Sequence, residues 1–99
     1  MTAADVLRAA RQRVELGWVQ GMAARDARGF PCNTRSAKAV AWCMDGALCA
    51  VYDDLNDYVA ASNTLVATVG SVAGFNDFRF RRKAEVLEAF DMAIWKVAR

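Results

Sequence analysis

Apolar residues recur at helical spacing over most of this chain, and the pattern breaks in one place. From Ala3 to Leu16, the residues Val6, Leu7, Ala10 and Val14 fall three or four apart, the spacing of one helix face. Thr2 is a good N-cap and Asp5 stands at the third helical position, a capping-box start with Asp in place of Glu or Gln. Gly17 ends this helix. Residues 17–35 lose the period. Asp26-Ala27-Arg28-Gly29 has the Asp-x-x-Gly form of a type I turn. Two short extended pieces around it predict a minimal hairpin at about residues 18–32. Two strands alone are barely stable, so this excursion is expected to lean on the helices.

A second helix is predicted from about Ala37 to Tyr52, capped by Ser36 or Thr34, with Val40, Cys43, Met44, Ala47, Ala50 and Val51 as its apolar stripe. A third begins near Asp54, capped by Asp53, and ends at Gly70. Leu55, Tyr58, Val59, Ser62, Leu65, Val66 and Val69 fit its inward face. The fourth runs from about Arg81 to Ala98, with Val86, Leu87, Phe90, Ala93, Ile94 and Val97 toward the core. The expected fold is mainly α: a compact four-helix domain with a short hairpin excursion between its first and second helices. Residues 1–99 form one domain in this reading, without repeats, low-complexity tracts or linkers.

A hydrophobic fraction of 56% is enough for one small core. The net charge of +2 is too small to imply nucleic acid by itself. No run of about 18 apolar residues exists, so no membrane span is expected. Met1-Thr2-Ala3-Ala4-Asp5 resembles no leader segment, and the chain is expected to stay in the cytoplasm. The three cysteines, Cys32, Cys43 and Cys49, are an odd number. Cys43 and Cys49 lie six apart in a helical pattern and point in different directions, so free thiols in a reducing compartment are expected. With no histidine and no zinc-like spacing, neither a metal nor a cofactor is expected.

Five motifs in order resemble a known set: Gly17-Trp18-Val19-Gln20-Gly21, Ala24-Arg25-Asp26-Ala27-Arg28-Gly29, Ala39-Val40-Ala41-Trp42-Cys43-Met44-Asp45-Gly46-Ala47-Leu48, Phe75-Asn76-Asp77, and Ala84-Glu85-Val86-Leu87 through Phe90-Asp91-Met92-Ala93-Ile94. Together they resemble a family of short uncharacterised proteins of bacteria and their phages and prophages. The resemblance covers most of the chain and implies a fold and an origin, with no activity attached. Two departures stand out. Phe75 replaces a usual Trp, and Arg79-Phe80-Arg81-Arg82 replaces a Pro-Gly-Arg-Thr turn. The lost threonine removes a helix cap worth roughly 1 kcal/mol.

The densest candidate chemistry is Phe78-Arg79-Phe80-Arg81-Arg82-Lys83. Its cations crowd the start of the last helix, against the preference of the macrodipole for acids there. A local rule broken in this way points to function. Arginine forks suit phosphates and carboxylates, and exposed phenylalanines fill partner pockets or stack on bases. The alternative is a solvated basic turn balanced by Asp77, Glu85 and Glu88, with its rings in the core. A second candidate is a polar ligand cluster of Gln20, Arg25, Asp26, Asn76 and Asp77, provided that the two loops carrying them meet. Asp and Asn also simply stabilise turns. Cys43 lacks a base to activate it and reads as a small hydrophobe. Gly46, inside a helix, predicts close approach of another backbone or of a ring such as Trp18 or Trp42.

The expected function is therefore a non-catalytic binding protein. The phage or prophage origin that the resemblance implies suits an accessory protein that acts by protein–protein contact, as an inhibitor of a host defence or nucleic-acid-processing enzyme. The alternative is a module that binds nucleic acid or a small anionic ligand. No helix-turn-helix or other nucleic-acid signature supports that alternative, and no phosphate loop or carboxylate pair supports an enzyme.

Overall fold

In the computed structural model, which describes residues 1–98, α1 (Ala3–Leu16) starts as its sequence dictates. The Asp5 amide donates to Thr2 Oγ1 at 3.2 Å and the Thr2 amide donates to Asp5 Oδ2 at 2.9 Å, closing the capping box. Val6, Leu7, Ala10 and Val14 are fully buried. Gly17 then runs extended, so close to the Val40 carbonyl that a Cβ would collide with it. Glycine is required here for packing, since this backbone conformation is open to any residue.

The excursion is larger than the hairpin expected. The turn at Asp26 is present: the Asp26 amide donates to the Phe30 carbonyl at 2.9 Å, and Asp26 Oδ1 accepts from the amides of Arg28 and Phe30. Yet β1 (Ala24–Arg25) takes its ladder partner from beyond the turn. It pairs antiparallel with β2 (Ala41–Trp42), in the register Ala24 to Trp42 and Arg25 to Ala41. Residues 37–43, predicted as the first turns of the second helix, are therefore loop and strand. Turns at Asn33 and Ser36 fold the chain back instead, through their side-chain acceptors to Arg35 and Lys38 amides. Ladder bonds to the 17–25 backbone then use the amides of Val40, Trp42 and Cys43. The second helix, α2 (Met44–Val51), begins only after Cys43, whose Sγ accepts from the Gly46 amide as an N-cap.

The third helix, α3 (Leu55–Val69), is capped by Asp54 rather than by Asp53, and stops at Gly70 with φ +81°. A further helix then appears where a loop was expected: α4 (Val72–Asp77), capped by Ser71 onto the Gly74 amide. The last, α5 (Lys83–Ala98), makes five helices among the described residues, where four were expected. The mainly helical class stands, with the small antiparallel sheet as its extra layer.

One core cluster joins α1, α2, α3 and α5 around Phe90, Leu7, Met44, Leu48 and Leu65. The inward line of α3 is narrower than its sequence pattern suggests. Ala61 and Leu65 are buried, with Tyr58 and Val69 packed beside them, while Leu55, Val59 and Val66 are exposed. Val40 and Val97, also expected inside, are exposed as well. Gly46 is explained by backbone and not by a ring: a Cβ there would meet the carbonyl of Ala23. Among the described residues no helix is long and apolar enough to cross a membrane.

Candidate functional site

The two predicted sites meet at α4. Asn76 is 2% exposed, the one buried polar side chain among the described residues, and all of its hydrogen-bonding capacity is used. Its Oδ1 accepts from Trp18 Nε1 at 2.8 Å and from the Met44 amide at 3.1 Å. Its Nδ2 donates to the Val19 carbonyl at 3.2 Å and to Asp77 Oδ1 at 2.8 Å. Asp77 in turn accepts from the Gly21 amide at 3.0 Å, and Gln20 Nε2 donates to the carbonyls of Asn76 and Phe78. Buried amides are stable when fully satisfied in this way.

Of the five residues in the predicted ligand cluster, three therefore come together: Gln20, Asn76 and Asp77. Arg25 and Asp26 do not join them. Asp26 is occupied by its own turn, and Arg25 donates to the Asp26 carbonyl. Asn76 and Asp77 also sit on a helix, not a loop. The three that meet brace the Gly17–Gly21 segment and the start of α2 to α4. The sequence reading missed Trp18 and the Met44 amide as members. The one available signal was that a half-buried indole N–H needs an acceptor.

Beside this brace lies a cleft of about 280 Å³, lined by Gly21, Met22, Cys43, Asp45, Val72 and Asp77 among others. No arginine or lysine among the described residues lines it, which disfavours a small anionic ligand there. Burial pushes the Cys43 thiol up, and the charges of Asp45 and Asp77 push the same way. A thiol held protonated is a poor nucleophile. Asp45 is engaged by Tyr58, whose hydroxyl donates to it at 2.7 Å; that bond, with burial, pushes the tyrosine pKa up. Cys32, Cys43 and Cys49 are free thiols. Among the described residues no group of three His, Cys, Asp or Glu is placed to hold a metal ion.

The turn from α4 into α5 carries the basic–aromatic segment, and its residues divide into two sets. Arg81 and Lys83 belong to the scaffold. The Arg81 guanidinium lies 3.7 Å from the Phe75 ring centroid and 5.1 Å from that of Phe78. Its Nε donates to the Phe75 carbonyl at 2.9 Å, and Glu85 lies 3.6 Å away. Lys83 Nζ donates to the Glu15 carbonyl, at the C-terminal end of α1 where a cation is favoured. Glu85 closes the start of α5 by accepting from the Arg82 amide at 2.8 Å. It supplies the acid that the macrodipole prefers and makes one of the two bonds of a capping box. The expected conflict with the dipole is thus mostly resolved within the fold.

The second set faces solvent. Phe78 is 52% exposed and Phe80 72% exposed. The two rings meet edge to face, 6.0 Å apart, and Arg79 stacks on Phe80 at 5.4 Å. The Arg82 side chain is 79% exposed, with Glu85 at 3.8 Å. The turn is short and fixed at its base, because Gln20 holds the Phe78 carbonyl and Arg81 holds that of Phe75.

A family model described as a family of unknown function (DUF6197) matches residues 1–95. No curated protein and no solved structure matches the chain.

Proposed function

The chain belongs to the DUF6197 family, a family of unknown function, and from that premise and the geometry of the α4–α5 turn we propose that it is a non-catalytic binding protein. It docks on another protein through Phe78, Arg79, Phe80 and Arg82. The observation that carries this reading is the pair of phenylalanines exposed on a turn whose base is tied down. Exposed aromatic rings cost solubility and contribute nothing to the core, whereas aromatic and arginine anchors dominate protein interfaces. A fixed base also lowers the entropy lost on binding. Arg81 and Lys83, grouped with the contact residues by sequence, support that surface from below.

The partner surface that fits is an apolar pocket with an acidic rim. The phage or prophage origin that the resemblance implies suits an inhibitor of a host defence or nucleic-acid-processing enzyme that presents such a surface. The test places a photo-cross-linking phenylalanine analogue at position 80, and at Val59 as a control, in cells that naturally express the chain. One protein captured from position 80 alone is then purified, and its binding reconstituted. Binding should be lost with Phe80→Ser and kept with Val59→Ser. Absence of any position-specific cross-link, or equal binding by both variants, refutes the reading. Retention of single-stranded DNA instead, with affinity falling steeply as salt rises, would replace it with nucleic-acid binding.

A further inference from the structure

Next to the exposed turn lies a recess of about 390 Å³ between α3, α4 and α5. Val69, Phe75, Ala89 and Met92 give it apolar walls, and its edge carries Glu88 beside the paired Arg81 and Glu85. Turn and recess share a border. Arg81 lines the recess and lies 5.1 Å from the Phe78 ring, which is itself 6.0 Å from Phe80. The charges are complementary across that border. Among the described residues Arg79 on the turn has only the Phe80 ring as a partner, and Glu88 in the recess carries no ion pair.

We propose that a second copy of this chain docks on this face, each copy seating Phe80 in the recess of the other with Arg79 against the partner's Glu88. The inference rests on the reading of the turn as a docking surface and names an occupant for it. A projection and a matching recess side by side on one face are what a two-fold contact needs, because the same patch then serves both subunits and the assembly closes as a dimer. The recess is large enough for the ring, since an apolar cavity of roughly 150 Å³ holds benzene. Pairing of charges steers such a contact and fixes its register. The same residues would then be covered in the dimer and uncovered when another protein competes for them.

The experiment is sedimentation equilibrium of the full chain from low to high micromolar concentration at low salt. The expected result is a rise from one to two chain masses with concentration. Phe80→Ser and Glu88→Arg should each weaken the dimer at least about tenfold, with circular dichroism confirming that both fold. Combining Arg79→Glu with Glu88→Arg in one chain should restore it. Mixing the Phe80→Ser and Glu88→Arg chains should give association stronger than either chain shows alone but weaker than the parent's, through the one intact contact that remains. A single chain mass at every concentration, or a dimer indifferent to these substitutions, overturns the proposal. A monomeric chain that still loses its cross-linked partner with Phe80→Ser overturns only the self-docking and leaves the proposed function standing.

Discussion

The brace at Asn76 gives the sharpest test of how this fold is held. Asn76→Ala removes four hydrogen bonds: two accepted by its Oδ1, from the Trp18 indole and the buried Met44 amide, and two donated by its Nδ2, to the Val19 carbonyl and Asp77. At about 1 kcal/mol of net stability per bond, the loss is roughly 4 kcal/mol. Stranding the Met44 amide adds to this, while water reaching the exposed Asp77 carboxylate subtracts. A domain of this size has about 5–15 kcal/mol in all, so the variant should be folded but fragile. Its melting temperature should fall by roughly 15–30 °C, using about 4–8 °C per kcal/mol. Guanidinium melts followed by circular dichroism and by tryptophan fluorescence give the value directly. Asn76→Asp separates the bonds. It keeps both acceptor bonds and replaces both donor bonds with repulsion from the Val19 carbonyl and Asp77. The new carboxyl would have a raised folded pKa. Its stability relative to the parent should therefore be highest at acid pH and fall as pH rises through that value. A loss below about 1 kcal/mol in Asn76→Ala would mean that the cluster does not brace the fold and that the reasoning fails.

Gly46→Ala should cost roughly 2–3 kcal/mol in a chemical melt despite the better helix propensity of alanine, because its Cβ would push on the Ala23 carbonyl that accepts from the Cys43 amide at 3.1 Å; a stabilised variant would refute the close packing. Arg81→Ala should cost about 2 kcal/mol, from a charged hydrogen bond and a ring contact, whereas Arg82→Ala should stay within about 0.5 kcal/mol; equal effects in parallel thermal melts would refute the division of the turn into scaffold and surface. Cys43, Cys49 and Tyr58 all have raised pKa values. The unfolded chain would ionise these groups first, so stability should be complete below the ordinary thiol range of about 8.5 and decline as pH climbs past it. Urea melts from neutral pH to about pH 10 should show that decline, and Tyr58→Phe should reduce it at the alkaline end.

The helices that the sequence shows clearly are those whose signals are local. Thr2, Asp5 and the spacing of Val6, Leu7, Ala10 and Val14 fix α1 without help from elsewhere, and Gly70 with φ +81° ends α3. Residues 37–43 misled because their apolar content fits a helix, while the bonds that decide them come from residues 17–25, far away in sequence. Tertiary pairing overrides propensity in short segments of this kind. The helix α4 was hidden for a related reason: six residues containing Gly74 give no readable period, and Ser71 is a cap only once the chain turns there. The brace was half visible. Residue type groups Gln20, Asn76 and Asp77, but it also brings in Arg25 and Asp26, because charge on a loop looks alike whether it closes a turn or faces a ligand.

The basic–aromatic turn shows why a broken local rule must be divided residue by residue before it is read as function. Four cations crowd the start of α5, yet two have structural work: Arg81 is clamped to Phe75, and Lys83 ends α1. Glu85 supplies the helix start with its acid. What stays without a structural role is Arg79, Phe80 and the outer part of Arg82, together with the exposed edge of Phe78. Removing these should leave stability unchanged, and removing Arg81 should not. A binding loss in Phe80→Ser at unchanged melting temperature is therefore attributable to a lost contact, whereas the same loss in Arg81→Ala could follow from collapse of the turn. If Phe80→Ser lowers the melting temperature by as much as Arg81→Ala does, the ring belongs to the scaffold, and the argument for a docking surface loses its footing.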